Sequence, residues 1–171
     1  MARRALVGLV AFVVIASPWV HRQHNLPRHV TLSDTPMVTL PRIAERLAAL
    51  LPTSETQVFY LADPLPLHLA GRRSYLQQFN QERWGFTSLN DREQYRRVGM
   101  WGPAEMEEWL GRDARHAVLE SDTVEFYRRR APYRDIMARM DALIAQHFVL
   151  VDTIDGRSGD RFLVYRRKPM L

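Results

Sequence analysis

The feature that most constrains this chain is a charge-free run near its start. Arg3 and Arg4 precede a stretch from Ala5 to Val20 that contains no acidic or basic side chain. In a water-soluble protein such a helix would need apolar neighbours on every side, whereas a lipid bilayer supplies them directly. We therefore expect residues 1–22 to form a transmembrane helix or signal anchor, with the lipid bilayer as its partner.

A cleaved signal peptide is the alternative for this segment. It would have a basic start, an apolar stretch of about 7–15 residues and a small-x-small end, and Val14-Ile15-Ala16 before Ser17 fits that end poorly. A spanning helix needs about 20 apolar residues, slightly more than this run offers. Trp19 lies where an interfacial anchor would lie. Both alternatives place the rest of the chain on the extracytoplasmic side of an inner or plasma membrane.

Residues 23–34 are expected to be a juxtamembrane linker, since polar residues dominate them and Pro27 interrupts them. His21, His24 and His29 lie in or beside it, but no carboxylate or cysteine accompanies them at ligand spacing. A zinc site needs about four such ligands. No metal site is therefore predicted here.

Composition and missing motifs exclude several function classes. The chain has no cysteine, which excludes disulfides, zinc thiolate sites and thiol catalysis. Its net charge of +5 is too mild to indicate a nucleic-acid partner. Neither a G-x-S-x-G nucleophile motif nor a glycine-rich phosphate loop is present. The sequence therefore predicts no catalytic residue and no cofactor.

Residues 35–171 show the alternation of helix and strand patterns that predicts an α/β domain. Thr35 and Pro36 are suited to begin an amphipathic helix that ends at Pro52. Short apolar runs predict four buried or half-buried strands: Gln57 to Ala62, "RHAVLES", "FVLVDTI" and "RFLVYRR". The last two flank "DGRSGD" and predict an antiparallel hairpin. We expect a mixed β-sheet with helices packed on it, ending in this hairpin at one edge.

Helices are also predicted between these strands, from caps and apolar periodicity. They are a turn or two over "PLPLHLAG", a short helix over Asp91 to Arg97 capped by Asn90, "PAEMEEWLGRD", a helix capped by Asp122 with Glu125 three residues on, and Tyr133 to His147. "SYLQQFN" is a further candidate strand.

The candidate binding residues are Asp63, Arg72 and Arg73. Asp63 follows the first predicted strand, where α/β proteins place ligand sites, although an acid before Pro64 also suits a turn. Arg72 and Arg73 could hold a phosphate or carboxylate, face lipid head groups, or be solvated charges after a glycine cap. A soluble hydrolase using Asp63 and His68 is a further hypothesis.

Another acid, Asp152, lies inside the predicted strand Phe148 to Ile154. If its carboxylate were buried it would need a partner. Alternation of side chains along the strand favours the exposed face instead.

The chain resembles the tail of polytopic membrane glycosyltransferases of the GT-C type, relatives of the dolichyl-phosphate-mannose protein mannosyltransferases and the aminoarabinose transferases of lipid A. "RRALVGLVAFVVIASPW" is similar to their last membrane helix. "TPMVTLPRIAERLAALLPTSETQVFYLADPLPLHLAGRRSYLQQFNQ" is similar to the start of their extracytoplasmic α/β domain. The resemblance rests on this architecture and on the helix, strand and "GRR" order.

The resemblance implies a partner, either a polyprenyl-phosphate sugar or the membrane portion of a glycosyltransferase. The catalytic loops of that family lie among earlier membrane helices, so no catalytic residue carries over to this chain. It is expected to be a fragment, a detached tail domain or a look-alike that is inactive alone and covers or assists the substrate site. The alternative is a free-standing, single-pass envelope protein that binds another protein through an exposed patch of Trp84, Phe86, Met100 and Trp101.

Overall fold

The computed structural model describes residues 36–75, 85–97, 99–157 and 159–169. The helices are α1 (Pro36–Leu50), α2 (Pro64–Leu69), α3 (Arg92–Arg97), α4 (Pro103–Glu108), α5 (Ser121–Arg128) and α6 (Arg134–His147). A π-helical turn (Trp109–Asp113) extends α4, and a 3-10 turn (Ala131–Tyr133) precedes α6. The strands are β1 (Val58–Leu61), β2 (His116–Glu120), β3 (Phe148–Asp155) and β4 (Arg161–Arg167).

The four strands form one mixed sheet in the order β1-β2-β4-β3. β1 and β2 run parallel, with Val58 opposite His116 and Leu61 opposite Leu119. β4 pairs antiparallel with β2 on one side and with β3 on the other. The predicted mixed α/β sheet with a terminal antiparallel hairpin is confirmed, and β3 lies at its edge.

Helices cover both faces of this sheet. On one face, α1 and α2 pack Ile43, Leu47 and Leu67 against Val58, Val118 and Val164. On the other, α4, the π-helical turn, α5 and α6 form the second layer of the core. Its buried members include Phe59, Leu61, Met106, Leu110, Ala117, Leu119, Met137 and Met140. The parallel strands read as continuous apolar runs because both of their faces are buried in this way.

Three local predictions are wrong or incomplete. Asp91, not Asn90, caps α3: its Oδ1 accepts hydrogen bonds from the backbone N–H groups of Glu93 and Gln94. α5 begins at Ser121, so Asp122 lies in its first turn instead of capping it. The helix predicted to run through "PAEMEEWLGRD" is α-helical only to Glu108 and then widens into the π-helical turn.

The predicted exposed aromatic patch is wrong for Phe86 and Trp101, because both side chains are buried. Phe86 and Trp101 are each only 2% exposed. Their rings stack at 4.4 Å between centroids, and Trp101 also meets Phe59 edge to face at 5.8 Å. Aromatic side chains bury large areas, so this sequence of tryptophans and phenylalanines builds core instead of a docking surface. Met100 is half-buried, and Trp84 lies outside the described residues.

Several expectations concern residues that the structure does not describe. The membrane span 1–22, the linker 23–34, the histidines within and beside it, and most of "SYLQQFN" are among them. Within the described ranges, no helix combines the length and apolar character needed to cross a membrane.

Candidate functional site

The carboxyl end of the parallel pair β1 and β2 is where an α/β sheet most often binds a ligand. Five polar residues meet there, and we call them the carboxyl-edge cluster: Tyr60, Asp63, Glu120, Thr123 and Asp160. β1 contributes Tyr60, β2 ends at Glu120, α5 carries Thr123, and the turn before β4 supplies Asp160. Sequence reasoning selected only Asp63 from this group.

Asp63 is the N-cap of α2. Its Oδ1 accepts a hydrogen bond of 2.9 Å from the backbone N–H of Leu65. Its own backbone N–H donates to Glu120 Oε2 at 3.0 Å, and its carbonyl accepts from the Tyr60 hydroxyl at 2.7 Å. His68, the other half of the hydrolase hypothesis, lies in the last turn of α2 and is exposed. The main role visible for Asp63 is to start α2 and join it to β2.

Glu120 is the central acid of the cluster. Its side chain accepts hydrogen bonds from the Thr123 hydroxyl and from the Asp63 backbone, and the residue is 8% exposed. Burial raises the pKa of Glu120 to about 7, and the neighbouring Asp160 carboxylate adds to the increase. The two hydrogen bonds oppose that shift without cancelling it.

Asp160 is bonded as fully as Glu120. Its Oδ1 accepts from the Ser121 hydroxyl at 2.6 Å, from the Arg161 N–H at 2.7 Å and from the Asp122 N–H at 3.2 Å. It therefore supplies the cap of α5 that the sequence assigned to Asp122. A carboxylate 39 residues away in sequence from Ser121 cannot be recognised as a cap from local spacing.

Arg72 and Arg73 differ in their hydrogen-bond partners. Arg72 places its guanidinium on the end of α1, with Nη2 2.6 Å from the carbonyl of Ala48 and Nε 2.6 Å from that of Leu51. Its Nη1 donates to the Ala70 carbonyl at 3.1 Å. Free carbonyls at a helix C-terminus attract such cations. Arg73 is exposed, and no hydrogen bond or ion pair of its side chain is seen within the described residues.

Two further basic residues are also used as helix caps. Arg167 directs its guanidinium to the carbonyls of Ala114 at 2.6 Å and Leu110 at 2.7 Å, closing the π-helical turn. Burial lowers the pKa of Arg167. Lys168 donates to the carbonyls of Ala145 and Gln146 at the end of α6.

Asp152 is neither buried nor fully exposed. Its side chain is 21% exposed, and its Oδ2 lies 2.6 Å from Arg46 Nη2. The partner of Asp152 therefore comes from α1. Such a surface ion pair contributes roughly 0–1 kcal/mol.

A second polar pair lies at the opposite end of β2. His116 Nδ1 is 3.5 Å from Glu55 Oε2, and both side chains are about one tenth exposed. Glu55 Oε1 accepts a hydrogen bond from the backbone N–H of Gln57. Burial lowers the pKa of His116, helped by Arg166 and Arg115 and opposed by Glu55. The lowered pKa favours the neutral imidazole, and the contact places the loop before β1 against the start of β2.

A groove of about 570 Å³ opens beside α5, α6 and β4. Its floor includes Val124, Ile144, Leu163 and Tyr165. At its rim, Arg128 makes a two-pronged ion pair with the carboxylate of Asp141, at 2.8 and 2.7 Å. Arg128 and Asp141 thus neutralise each other, and the groove presents mainly apolar surface, with Asp122 and Glu125 as further acids in its lining.

Neither a metal-binding cluster in the described ranges nor a known relative assigns a function to this site. Nowhere in the described ranges do three potential metal-binding His, Asp or Glu side chains come together. No family model, no curated protein and no solved structure matches the chain.

Proposed function

We propose that this chain is a membrane-anchored extracytoplasmic α/β domain similar to the tail of glycosyltransferases that use polyprenyl-phosphate-linked sugars. In this proposal it acts by contact, covering or assisting a substrate site in the membrane portion of such an enzyme, and it is inactive alone. The charge-free run from Ala5 to Val20 and the helix–strand–"GRR" order support the family. The mixed α/β sheet is compatible with it.

The observation that carries the non-catalytic role is the bonding of the carboxyl-edge cluster. Glu120 and Asp160 accept hydrogen bonds from their own chain, and both are less than a tenth exposed. A general acid or base must come within hydrogen-bond reach of a substrate proton. These two acids are instead used to join β1, β2, α5 and the β3–β4 turn.

Lipid phosphate binding falls to Arg73 in this proposal. Arg72 is already bonded to three carbonyls of its own chain, whereas Arg73 is exposed one residue further on. Asp63 then starts α2, and Arg72 holds the segment after α2 against α1 beside Arg73, so neither touches the phosphate itself.

Sugar transfer tests the proposal directly. The full chain, reconstituted in vesicles with a polyprenyl-phosphate sugar and candidate acceptors, should release no sugar from the donor. Measurable transfer by the chain alone would overturn the non-catalytic role.

Topology and lipid contact are tested separately. Because the chain has no cysteine, a single cysteine at the exposed Ser54 should react with a membrane-impermeant maleimide on intact cells. A photoreactive polyprenyl-phosphate should label the chain, and Arg73→Ala should reduce labelling severalfold while the control Arg134→Ala, at another exposed arginine, should not. Maleimide reaction only after lysis, or equal lipid labelling of both variants, would contradict the proposal.

The alternative function is a single-pass envelope protein that binds another protein. The aromatic patch first expected to serve it is buried, but a different apolar surface favours it. Val149, Leu150 and Val151 on β3 are all exposed. Affinity capture of the membrane-extracted chain distinguishes the two functions, because a glycosyltransferase subunit is expected under the first and an unrelated envelope protein under the second.

A further inference from the structure

The outward face of α2 is apolar. Leu67 points into the core beneath α1, whereas Leu65 and Leu69 are 44% and 53% exposed. Residues four apart on a helix lie on the same face, one turn from each other. The two exposed leucines therefore form one apolar strip, and the exposed His68 lies beside it.

Positive charge follows this strip along the chain. Arg73 is exposed four residues after Leu69, and the half-buried Arg72 precedes it. No acidic side chain occurs between Pro64 and Tyr75. An anionic lipid surface complements this pattern, because leucines enter its apolar layer while the long arginine side chain keeps its charge at the phosphates.

The surroundings of Arg72 add no negative charge. Its guanidinium lies against the last turn of α1 and the loop that follows, and residues 48–54 carry no charged side chain. Asp63 lies at the other end of α2, where its carboxylate caps the helix. The end of α2 that carries Arg73 is therefore cationic.

The charges further along α1 balance one another. Arg46 pairs with Asp152 at 2.6 Å. Arg42 and Glu45 are both exposed, and they are neighbours on the helix surface because they are three residues apart. The ionisable side chains at the adjoining end of β3 are also opposite in sign and lie across the hairpin from each other: Asp155 and Arg161. The uncompensated charge of the α1–α2 layer thus lies beside the leucine strip.

The sequence also keeps this layer close to a bilayer. In the proposed function the run from Ala5 to Val20 spans the membrane, and 15 residues (21–35) join it to Pro36, where α1 begins. A segment of that length reaches roughly 50 Å at full extension. Since α2 packs against α1, its outward face lies on the layer at which the chain enters the domain.

We infer that the outward face of α2 lies on the bilayer that anchors the chain, with Leu65 and Leu69 in the head-group layer and Arg73 at the phosphates of anionic lipids. This inference rests on the proposed membrane anchoring and deepens the phosphate contact proposed for Arg73. A short strip suffices, because the tether makes contact with the bilayer an intramolecular event.

Fluorescence quenching tests the contact in the full chain, because the native sequence has no cysteine. In vesicles that contain phosphatidylglycerol and a lipid with a nitroxide head group, a fluorophore on Leu69→Cys should be quenched severalfold more than one on Leu150→Cys. Leu150 is the matched control: it is also 53% exposed, but it pairs with Tyr165, which packs in the core layer on the other face of the sheet. Equal quenching at both positions, or none at Leu69→Cys, would overturn the inference.

A third label separates this contact from the anchoring on which it rests. A fluorophore on Val13→Cys, within the charge-free run, should be quenched by nitroxides on the lipid acyl chains. Quenching at Val13→Cys without quenching at Leu69→Cys would overturn the α2 contact and leave the anchoring in place. Absence of quenching at both positions would overturn the anchoring and the contact together.

Charge reversal gives an independent measurement. Arg73→Glu in the Leu69→Cys chain should reduce quenching severalfold, and so should replacing phosphatidylglycerol by phosphatidylcholine. Arg134→Glu is the matched control, since Arg134 is an exposed arginine on α6, which packs on the other face of the sheet, and it should leave quenching unchanged. If either Arg73→Glu or the change of lipid left quenching at the native level, anionic head groups would not be the partner of this face.

Discussion

The β1–β2 side and the β3 side of the sheet differ in how far their side chains are buried. On the β1–β2 side, all nine strand residues are buried and the polar groups at the carboxyl edge are bonded to one another. On the β3 side, only Phe148 and Ile154 are buried, and consecutive apolar side chains face solvent. The β1–β2 side therefore contributes its side chains to the core, whereas the β3 side leaves apolar side chains exposed to a partner.

The largest expected effect contrasts a core residue on the first side with an edge residue on the second. Phe59→Ala removes a fully buried ring that contacts Trp101 and Trp109, and should lower the free energy of unfolding by about 3–5 kcal/mol. Leu150→Ala, at 53% exposure, should cost about 1 kcal/mol or less. Urea unfolding followed by tryptophan fluorescence measures both, and equal losses would erase the contrast.

The carboxyl-edge cluster predicts a pH dependence. The pKa of Glu120 is raised from 4.5 to about 7, so the folded state retains a proton that the unfolded state loses between these values. Stability therefore falls as the pH rises through this window, by on the order of 3 kcal/mol.

Glu120→Gln isolates that contribution. The native chain should lose its stability advantage over the variant between pH 5 and 8, measured by urea unfolding at each pH. Glu93→Gln, at an exposed ion pair with Arg97, should keep the native slope. If Glu120→Gln kept it as well, Glu120 would not be the titrating group.

A smaller effect separates the two neighbouring arginines. Arg72→Ala leaves carbonyls at the end of α1 without their donors and should cost about 1–2 kcal/mol. Arg73→Ala should change stability by less than about 0.5 kcal/mol, because Arg73 is exposed. Thermal or urea unfolding of the two variants decides this, and comparable losses would show that Arg73 also has a structural role.

The smallest effect tests the open side. Val151→Lys adds a charge at the exposed bulge of β3 and should alter the free energy of unfolding by no more than about 0.5 kcal/mol. It should also make the chain less prone to associate, as lysines on edge strands do. A stability loss above about 2 kcal/mol, measured on the monomer, would show that this edge is packed against something.

The fold was largely predictable from sequence, because apolar periodicity is a local signal. The four strands and the helix from Tyr133 to His147 follow directly from it. Strand order was not predictable, since the insertion of β4 between β2 and β3 depends on pairing over long sequence separations.

The candidate site was less accessible. Asp63 was identified by its position after a strand, but Glu120 was not, although it also ends a strand. Its significance depends on burial and on Asp160, which no local pattern reveals. Arg72 was a candidate anion ligand because a sequence shows its charge but not the helix carbonyls that it meets in the fold.

The central place of β4 has a consequence for synthesis on the ribosome. β2 and β3 both pair with β4, which is the last of the four strands to be made. Until Arg161–Arg167 emerge, β2 has one open edge and β3 has none of its ladder partners. Non-local strand pairing of this kind is slow, and unpaired edges are prone to aggregate. We therefore expect the nascent chain to need protection by chaperones until its final hairpin closes the sheet.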